Sequence, residues 1–456
     1  MLALLLCSLP AAEAAGYYTP GVGTRALARG GAFIAGADDT TAQYYNPAAL
    51  TRIDGGQFKL DFAGVHQQIY FDREDLPNEE FPAIENEAPP YPIPTIGLAQ
   101  GFLDGRGVVA FGVYPPYAPL IEYPIDGPQR YNLVDSTVIE IVAGPTAAFE
   151  VIPGLSIGAG VNYRWMLAGQ TRFLTTAPDS DDPVSDIGFE MEAKDTFTIG
   201  WNAGVLWEDP KNKRYAIGAM VRPPVKYEAK GHLAADFTNH AFYESGIILT
   251  GNPRDDDITL NISMPLLVKV GALVRPMDRL EIEGAFVYQK WDVIDEVVVS
   301  DVDMEIELDS SSGLGDSAAI TDDVILPANY QNAWSAHLGA EFDAHEMVTV
   351  RAGGIYETSA IPAKTQGVDL VDGKKAGYGL GGTLWLGKRW AVDAAWGQTF
   401  LFPRTVTDSE VTQIYVDALS GDIGEGRTVG NGEVRSKVNI GSVAVQGLWG
   451  KSLREE

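Results

Sequence analysis

Apolar and polar side chains alternate with a period of two along most of the chain. Trp334, Leu338 and Phe342 fall on one face of a segment, for example, while His337 and Glu341 fall on the other. Such alternation is typical of β-strands with one apolar and one polar face. The pattern predicts fourteen strands, at residues 57–70, 93–103, 107–115, 136–151, 154–168, 195–208, 213–228, 258–274, 279–294, 330–342, 346–358, 375–387, 389–402 and 436–449.

The connections between these strands alternate between short and long. Tight turns such as 104–106 and 387–388 separate long links. A soluble β-sandwich or propeller array has no reason for this rhythm, whereas an outer-membrane barrel has an even strand number, short periplasmic turns and long external loops. Unpaired backbone is costly in lipid, so the sheet must close. The pattern therefore favours an all-β fold, a 14-stranded antiparallel transmembrane β-barrel. The long links are 71–92, 116–135, 169–194, 229–257, 295–329, 359–374 and 403–435.

The first part of the chain lacks the strand pattern. A short apolar run followed by small residues predicts a secretory signal peptide. The next stretch is rich in small residues and ends in Asn46-Pro47-Ala48, where Pro47 fixes φ and Asn46 hydrogen-bonds nearby backbone. We predict that it is a hatch, or plug, inside the barrel. The expected organisation is signal peptide 1–15, hatch 16–50, barrel 51–450 and C-terminal tail 451–456.

Composition and charge exclude several functions. The net charge of -29 argues against nucleic-acid binding, which needs a basic surface. Cys7 is the single cysteine and lies in the predicted signal peptide, so no catalytic or metal-binding thiol is expected. No Gly-x-Ser-x-Gly motif supports a hydrolase, and five scattered histidines do not suggest a metal site. We therefore expect neither an enzyme nor a cofactor.

The long links are acidic. No Lys or Arg occurs between Trp291 and Val350, a stretch that contains Asp301, Asp303 and Glu305. These charges either keep exposed loops solvated or bind divalent cations that bridge the carboxylates to one another or to lipopolysaccharide. The sequence leaves both interpretations open.

Several basic side chains are predicted to point into the barrel. A fatty-acid site needs an apolar cavity and one or two fixed cations, a role that suits Arg because its fork binds carboxylates. Alternatively, each cation pairs with an inward carboxylate such as Glu283 or Asp393 and stiffens the barrel. The candidate ligand-binding residues from this pattern are Arg164, Arg172, Arg222, Lys269 and Arg351.

The third predicted strand contains two consecutive prolines. Each proline removes a backbone donor, so normal pairing is expected to fail after Tyr114 in Gly112-Val113-Tyr114-Pro115-Pro116. Taken alone, the two prolines are typical of the start of the second external loop.

Short motifs occur in a consistent order along the chain. They include Ala15-Gly16-Tyr17, Asn46-Pro47-Ala48, the segment 197–204 with 212–216, and Thr349-Val350-Arg351-Ala352-Gly353. Together they resemble the FadL/TodX-like (OMPP1) family of outer-membrane transporters of long-chain fatty acids and other hydrophobic compounds.

The resemblance implies a function without a chemical reaction. It implies passive uptake through a lumenal pocket in the outer membrane of a Gram-negative bacterium, with membrane lipid and lipopolysaccharide around the barrel. It also implies that Tyr17 and Tyr18 reach the ligand, and that a kinked third strand forms a lateral gate. The gate residues would be Gly112, Tyr114, Pro115 and Pro116. The alternative is the same barrel acting as a structural or interaction protein, with loops such as 295–329 binding a partner at the cell surface.

Overall fold

Fourteen antiparallel strands form one closed barrel in a computed structural model that describes residues 22–313, 316–321, 323–417 and 423–450. The barrel closes because the last strand pairs with the first, from Gly56 opposite Trp449 to Arg73 opposite Gly432. The undivided strands are β1 (Gly56–Arg73), β2 (Tyr91–Phe102), β3 (Gly107–Tyr117), β4 (Asp135–Ile152), β5 (Leu155–Thr175), β6 (Asp186–Glu208), β9 (Leu280–Lys290), β10 (Ala333–His345), β11 (Val348–Glu357), β12 (Lys375–Leu386), β13 (Trp390–Leu401) and β14 (Gly432–Trp449).

Two barrel strands are divided at prolines. Strand β7 consists of Tyr215–Arg222 and Val225–Asp236, and β8 of Arg254–Met264 and Leu266–Met277. The break in β7 falls at Pro223-Pro224. Proline has no backbone N–H, so the hydrogen-bonded ladder cannot run through it.

The predicted strand number is confirmed, but two predicted links are too long. Residues 169–194 are largely strand, because β5 and β6 remain paired as far as Thr175 opposite Asp186. Similarly, β7 and β8 extend into the predicted link 229–257. These extensions alternate in the opposite sense to the membrane-facing segments, with apolar residues such as Ile187 and Phe189 buried and polar residues such as Glu190 exposed.

The described loops and barrel ends contain short elements of their own. The additional strands are Ile84–Glu85, Leu120–Glu122, Glu296–Ser300, Met304–Glu307, Ser317–Ile320, Val324–Pro327, Arg404–Val406, Thr412–Val416 and Ile423–Thr428. The helical segments in the loops and turns are Leu103–Gly105, Pro183–Ser185, Ala241–Glu244, Trp291–Val293 and Ser310–Ser312. Among the described residues, no helix has both the length and the apolar character needed to cross a membrane.

The outer wall of the barrel carries large exposed apolar side chains, such as Phe62, Trp201 and Leu338. Polar side chains such as Lys59 and Asp393 point inward and are buried. The prediction of one apolar and one polar face on each strand is therefore confirmed, with the apolar face on the outside of the barrel and the polar face towards the lumen.

Residues 22–52, which we call the plug, fill part of the lumen. They contain α1 (Thr24–Ala28), α2 (Ala42–Tyr45) and a 3₁₀ helix (Pro47–Arg52), and most of their side chains are buried. The signal peptide and the first residues of the predicted hatch lie outside the described residues, as does the tail 451–456.

Candidate functional site

Three of the basic residues predicted to face inward come together in the lumen. Arg164 on β5, Arg222 on β7 and Lys269 on β8 are 1%, 4% and 1% exposed. The Arg222 guanidinium carbon lies 4.7 Å from the ring centroid of Tyr44, and Lys269 Nζ lies 4.0 Å from the same centroid. Tyr114 of β3 is within electrostatic range of both Arg222 and Arg164. We call Arg164, Arg222 and Lys269 the cationic cluster.

Arg164 has a partner inside this cluster. Its Nη1 donates to Glu140 and lies 3.5 Å from the hydroxyl of Tyr227, which itself donates to Glu140. The remaining Nε and Nη2 of Arg164 are buried and have no hydrogen-bond acceptor among the described residues. One carboxylate therefore satisfies only part of this guanidinium.

The hydrogen-bond donors of Arg222 have fewer acceptors than those of Arg164 among the described residues. Nε and Nη2 of Arg222 are buried without an acceptor, and this side chain makes no ion pair with the described residues. Its charge is stabilised by the face of the Tyr44 ring, a weaker interaction than a hydrogen-bonded ion pair. Because a buried donor without an acceptor is unfavourable, this arrangement suits an incoming anion.

Apolar side chains lie beside the cationic cluster in the part of the lumen nearer the long loops. Met166, Val225, Ile262 and Trp291 belong to one buried apolar group there. Apolar side chains with a few fixed polar groups beside them are typical of the lining of small-molecule sites. The lumen therefore has an apolar region and, next to it, a cationic end.

The third strand loses its regular pairing at its two prolines. Pairing between β2 and β3 ends at Ile96 opposite Val113, and pairing with β4 shifts register between Tyr114 and Tyr117. All residues from Tyr114 to Ala118 are buried, so both faces of the strand are covered. The expected loss of normal pairing after Tyr114 is confirmed, and the prolines precede the external loop instead of starting it. Gly112 lies against Gln43 of the plug.

Arg351 belongs to a different part of the lumen. Its Nε bonds Glu341 at 2.5 Å, and its Nη1 bonds Thr383 at 2.6 Å and lies 4.0 Å from Asp393. These contacts match the alternative of an inward cation that pairs with carboxylates and stiffens the barrel. Although Arg351 faces inward as predicted, we leave it out of the proposed ligand site.

The same network holds the plug. Asp393 receives Arg25 from α1 at 3.3 Å and Lys59 from β1 at 3.3 Å, and Lys59 also pairs with Asp39. The wall on this side of the lumen is therefore acidic and binds the basic residues of the plug.

Arg172 lies apart from the cationic cluster. It faces a cavity of about 710 Å³ among the external loops, together with Asn132, Asp369 and Gln413. Burial raises the pKa of the Asp369 carboxyl, although Arg172 acts to lower it. Arg172 thus lies among the external loops at the entrance to the barrel, and not with the cationic cluster in the lumen.

The Asn46-Pro47-Ala48 motif docks the plug on the wall. Asn46 Oδ1 accepts from Ala48 N at 3.2 Å, and its Nδ2 donates to Ile34 O at 3.1 Å. Pro47 packs so close to the barrel that a Cβ on Gly158 would lie 2.5 Å from its carbonyl carbon. These contacts support the structural role of the motif. Tyr17 and Tyr18 lie outside the described residues.

Three residues of the site were missed by sequence reasoning. Glu140 was detectable, since it occupies the inward parity of its strand, as Arg164 does. Tyr227 was not, because the parity inverts at Pro223-Pro224: Met220 and Arg222 are buried before the prolines, and Val225 and Tyr227 after them. Tyr44 lies in a segment without periodicity, so no pattern indicates which side of α2 meets the cations.

The acidic loops do not present a metal site in the part of the chain that is described. No group of three or more His, Cys, Asp or Glu side chains there is arranged to hold a metal ion. Binding of divalent cations or lipopolysaccharide by these loops has no support from the geometry and stays a prediction.

A family model described as Outer membrane protein transport protein (OMPP1/FadL/TodX) matches residues 5–435. The chain belongs to this family. It is accordingly an outer-membrane transport protein for hydrophobic compounds, and not an enzyme.

Individual relatives agree with the family. The long-chain fatty acid transport protein of Salmonella typhi is 22% identical over 390 residues, which cover 82% of this chain and 84% of that protein. A crystal structure of a Pseudomonas aeruginosa FadL homologue superposes with a TM-score of 0.74 at 18% identity, covering 96% of this chain and 100% of that one. The Ralstonia pickettii toluene transporter TbuX gives a TM-score of 0.65 at 16% identity, covering 94% and 99%. The structural likenesses concern the fold.

Proposed function

We propose that this FadL/TodX-family protein is a passive channel for long-chain fatty acids or similar single-chain amphiphiles with an anionic head. The ligand enters at the cavity beside Arg172. Its head then binds the cationic cluster while its tail lies along the apolar side chains near Met166 and Trp291. It leaves sideways where β3 separates from β2.

The observation that carries this proposal is the unsatisfied, buried guanidinium of Arg222 at the cationic end of an apolar lumen. A carboxylate supplies two acceptors to such a group, and charge-assisted bonds of this kind are strong. A hydrocarbon such as toluene, for which the structural neighbour TbuX is named a transporter, has no acceptor and would leave the Arg222 donors buried and unpaired. The site therefore favours a fatty acid over a neutral hydrocarbon.

The test compares a fatty acid with the fatty alcohol of the same chain length, using purified protein and the variant Arg222→Gln. We expect fatty-acid affinity to fall by about 10- to 100-fold, because hydrogen bonds to charged groups contribute roughly 1.5–3 kcal/mol. Affinity for the alcohol should change little, since it depends on the apolar lining. Arg435→Gln removes an exposed cation of β14 and serves as the matched control.

Equal binding of the acid by Arg222→Gln and the parent would contradict carboxylate capture at the cluster. Uptake of labelled fatty acid by cells that lack the protein should also be restored by the parent gene. If the parent binds neither ligand and restores no uptake, the alternative of an interaction protein at the cell surface takes precedence.

A further inference from the structure

The barrel wall has an unpaired seam between β6 and β7. Pairing of the two strands runs from Glu208 opposite Ala216 to Ala203 opposite Val221. It resumes in the same register with Lys194 opposite Lys230, nine residues further along both strands. Among the described residues, no β6–β7 pair lies between these points. We call residues 195–202 and 222–229 the β6–β7 seam.

The seam begins at the second Pro-Pro step of the barrel wall. Pro223 and Pro224 follow Arg222 directly, and neither has an N–H to donate to β6. The outer edges of the seam stay in the sheet, since Asn202 pairs with β5 and Ala229 with β8. On these outer edges the sheet is interrupted only briefly, by a one-residue bulge of β6 against β5 near Phe197 and by the break between β7 and β8 at Pro223, Pro224 and Pro265.

Polar side chains satisfy part of the backbone that the seam exposes. Asp195 accepts from Phe197 N at 2.9 Å and, across the seam, from Glu228 N at 3.2 Å. The hydroxyl of Tyr163 donates to Thr196 O at 2.6 Å. Unsatisfied backbone groups are strongly unfavourable in a membrane. These side-chain hydrogen bonds replace part of the missing ladder and so stabilise the unpaired junction.

The outer side of the seam is a groove of about 670 Å³ that includes Lys194, Phe197, Lys226 and Lys230. Phe197 is 72% exposed and marks the end of the apolar belt of β6, and Lys194 lies just beyond it on the loop side. Glu228 pairs with Lys226 and Glu192 with Lys194, whereas no ion pair of Lys230 occurs among the described residues. The mouth thus joins an apolar surface to three lysines, of which Lys230 suits the anionic head of an amphiphile in the outer leaflet.

The inner side of the seam meets the cationic cluster. Tyr227 lies in the seam, is fully buried and bonds Glu140 together with Arg164. Arg164 packs directly against the seam residue Gly200: a Cβ atom added to this glycine would lie only 2.6 Å from Arg164 Nε. A head group released from Arg164 therefore has cationic side chains on both sides of the wall.

We propose that the β6–β7 seam is a second lateral portal, through which a single-chain amphiphile with an anionic head passes between the cationic cluster and the outer leaflet. In this structure Tyr227 and Asp195 close it. The portal rests on the proposed function, and it is separate from the break between β2 and β3.

The test joins the two sides of the seam covalently. Thr196→Cys with Glu228→Cys continues the register across the groove, and Val205→Cys with Ala219→Cys joins a paired position of the same two strands as the control. Cys7 is the single native cysteine and is replaced by Ala in all variants. The bond is made by oxidation or by a short reducible bis-thiol reagent, and its formation is verified by mass.

We expect the seam cross-link to cause a partial loss of fatty-acid uptake that reductant reverses, and the control cross-link to cause none. Combining the seam cross-link with Pro115→Ala/Pro116→Ala should remove uptake almost completely. Reversal by reductant excludes misfolding as the cause. Unchanged uptake with the seam verified as closed overturns the portal.

Fatty-acid binding is measured on the same cross-linked protein. Retained binding with reduced uptake assigns the loss to the portal. Failure of Arg222→Gln to weaken binding, by contrast, counts against the ligand site and not against the portal, so the two failures are distinguishable.

Discussion

At the residue scale, Glu283 of β9 holds the middle of the plug. Its fully buried carboxylate accepts from the backbone N–H of Ile34 and Ala35 at 2.7 Å and of Gly36 at 2.9 Å, and it pairs with Arg29 at 3.1 Å. A carboxylate with four donors of this kind fixes the backbone of a segment that has no ladder of its own. This one side chain of the wall therefore fixes the backbone of residues 34–36 of the plug.

We predict that Glu283→Gln loosens the plug. The amide keeps one acceptor but turns a donor towards Gly36 and Arg29, and breaking a buried ion pair costs about 3–5 kcal/mol. Heat-induced unfolding in detergent should shift to lower temperature, and entry of small polar dyes should increase. The exposed Glu433→Gln, which removes only a surface partner of Arg435, is the control. Unaltered melting and permeability of Glu283→Gln would refute this role.

At the scale of elements, the wall is interrupted where two prolines occur together. Pro115-Pro116 accompanies the break between β2 and β3, and Pro223-Pro224 accompanies the β6–β7 seam. Tyr114 beside the first break and Tyr227 within the second both approach Arg164. One buried cluster therefore borders two weak junctions of the barrel.

Pro115→Ala/Pro116→Ala is expected to straighten β3. The substitution returns two N–H donors and lets the ladder with β2 continue past Ile96. Uptake should fall while the affinity of purified protein for fatty acid is retained, since the cationic cluster is untouched. Pro210→Ala in the turn before β7 tests for a general effect of losing proline. Normal uptake by the double variant would argue against exit at this strand.

At the scale of the whole molecule, the lumen is divided by charge. One side of the wall offers Glu283, Glu341 and Asp393 to the basic residues of the plug, while the other offers the cationic cluster. Ion pairs on the first side seat the plug, whereas Arg164 and Arg222 on the second keep donors that have no acceptor among the described residues. The plug meets the cationic cluster through the aromatic rings of Tyr44 and Tyr45, which leave the guanidinium donors available to an anionic ligand.

Deletion of residues 16–42 should therefore leave the lumen unblocked, while the fourteen strands still form a closed sheet. The strands pair with one another, and β14 still meets β1. We expect greater entry of small polar dyes, with the heat-dependent change in gel mobility of a folded barrel preserved. If permeability to hydrophobic solutes and to polar dyes both stay at the parent level, the segment is not a plug.

The features that could be predicted from the sequence differ between these scales. Strand number, strand direction and inward or outward parity are local properties, because side chains alternate with each residue and turns are short. The fourteen strands, the loss of regular pairing after Tyr114 and the inward orientation of Arg164, Arg222, Lys269 and Arg351 were accordingly predictable. Strand ends were not, since pairing beyond the apolar belt depends on the neighbouring strand.

By itself, the sequence determined that this protein is a two-faced, closed sheet with a non-strand segment before it and cations inside. It could not distinguish Arg222 from Arg351, which are equivalent by parity. Only the tertiary structure decided that Arg351 meets Glu341 and that Arg222 meets the ring of Tyr44. The reason is that pairing of neighbouring strands and insertion of the plug set which groups meet each charge, and the plug residue Tyr44 is remote from Arg222 in the sequence.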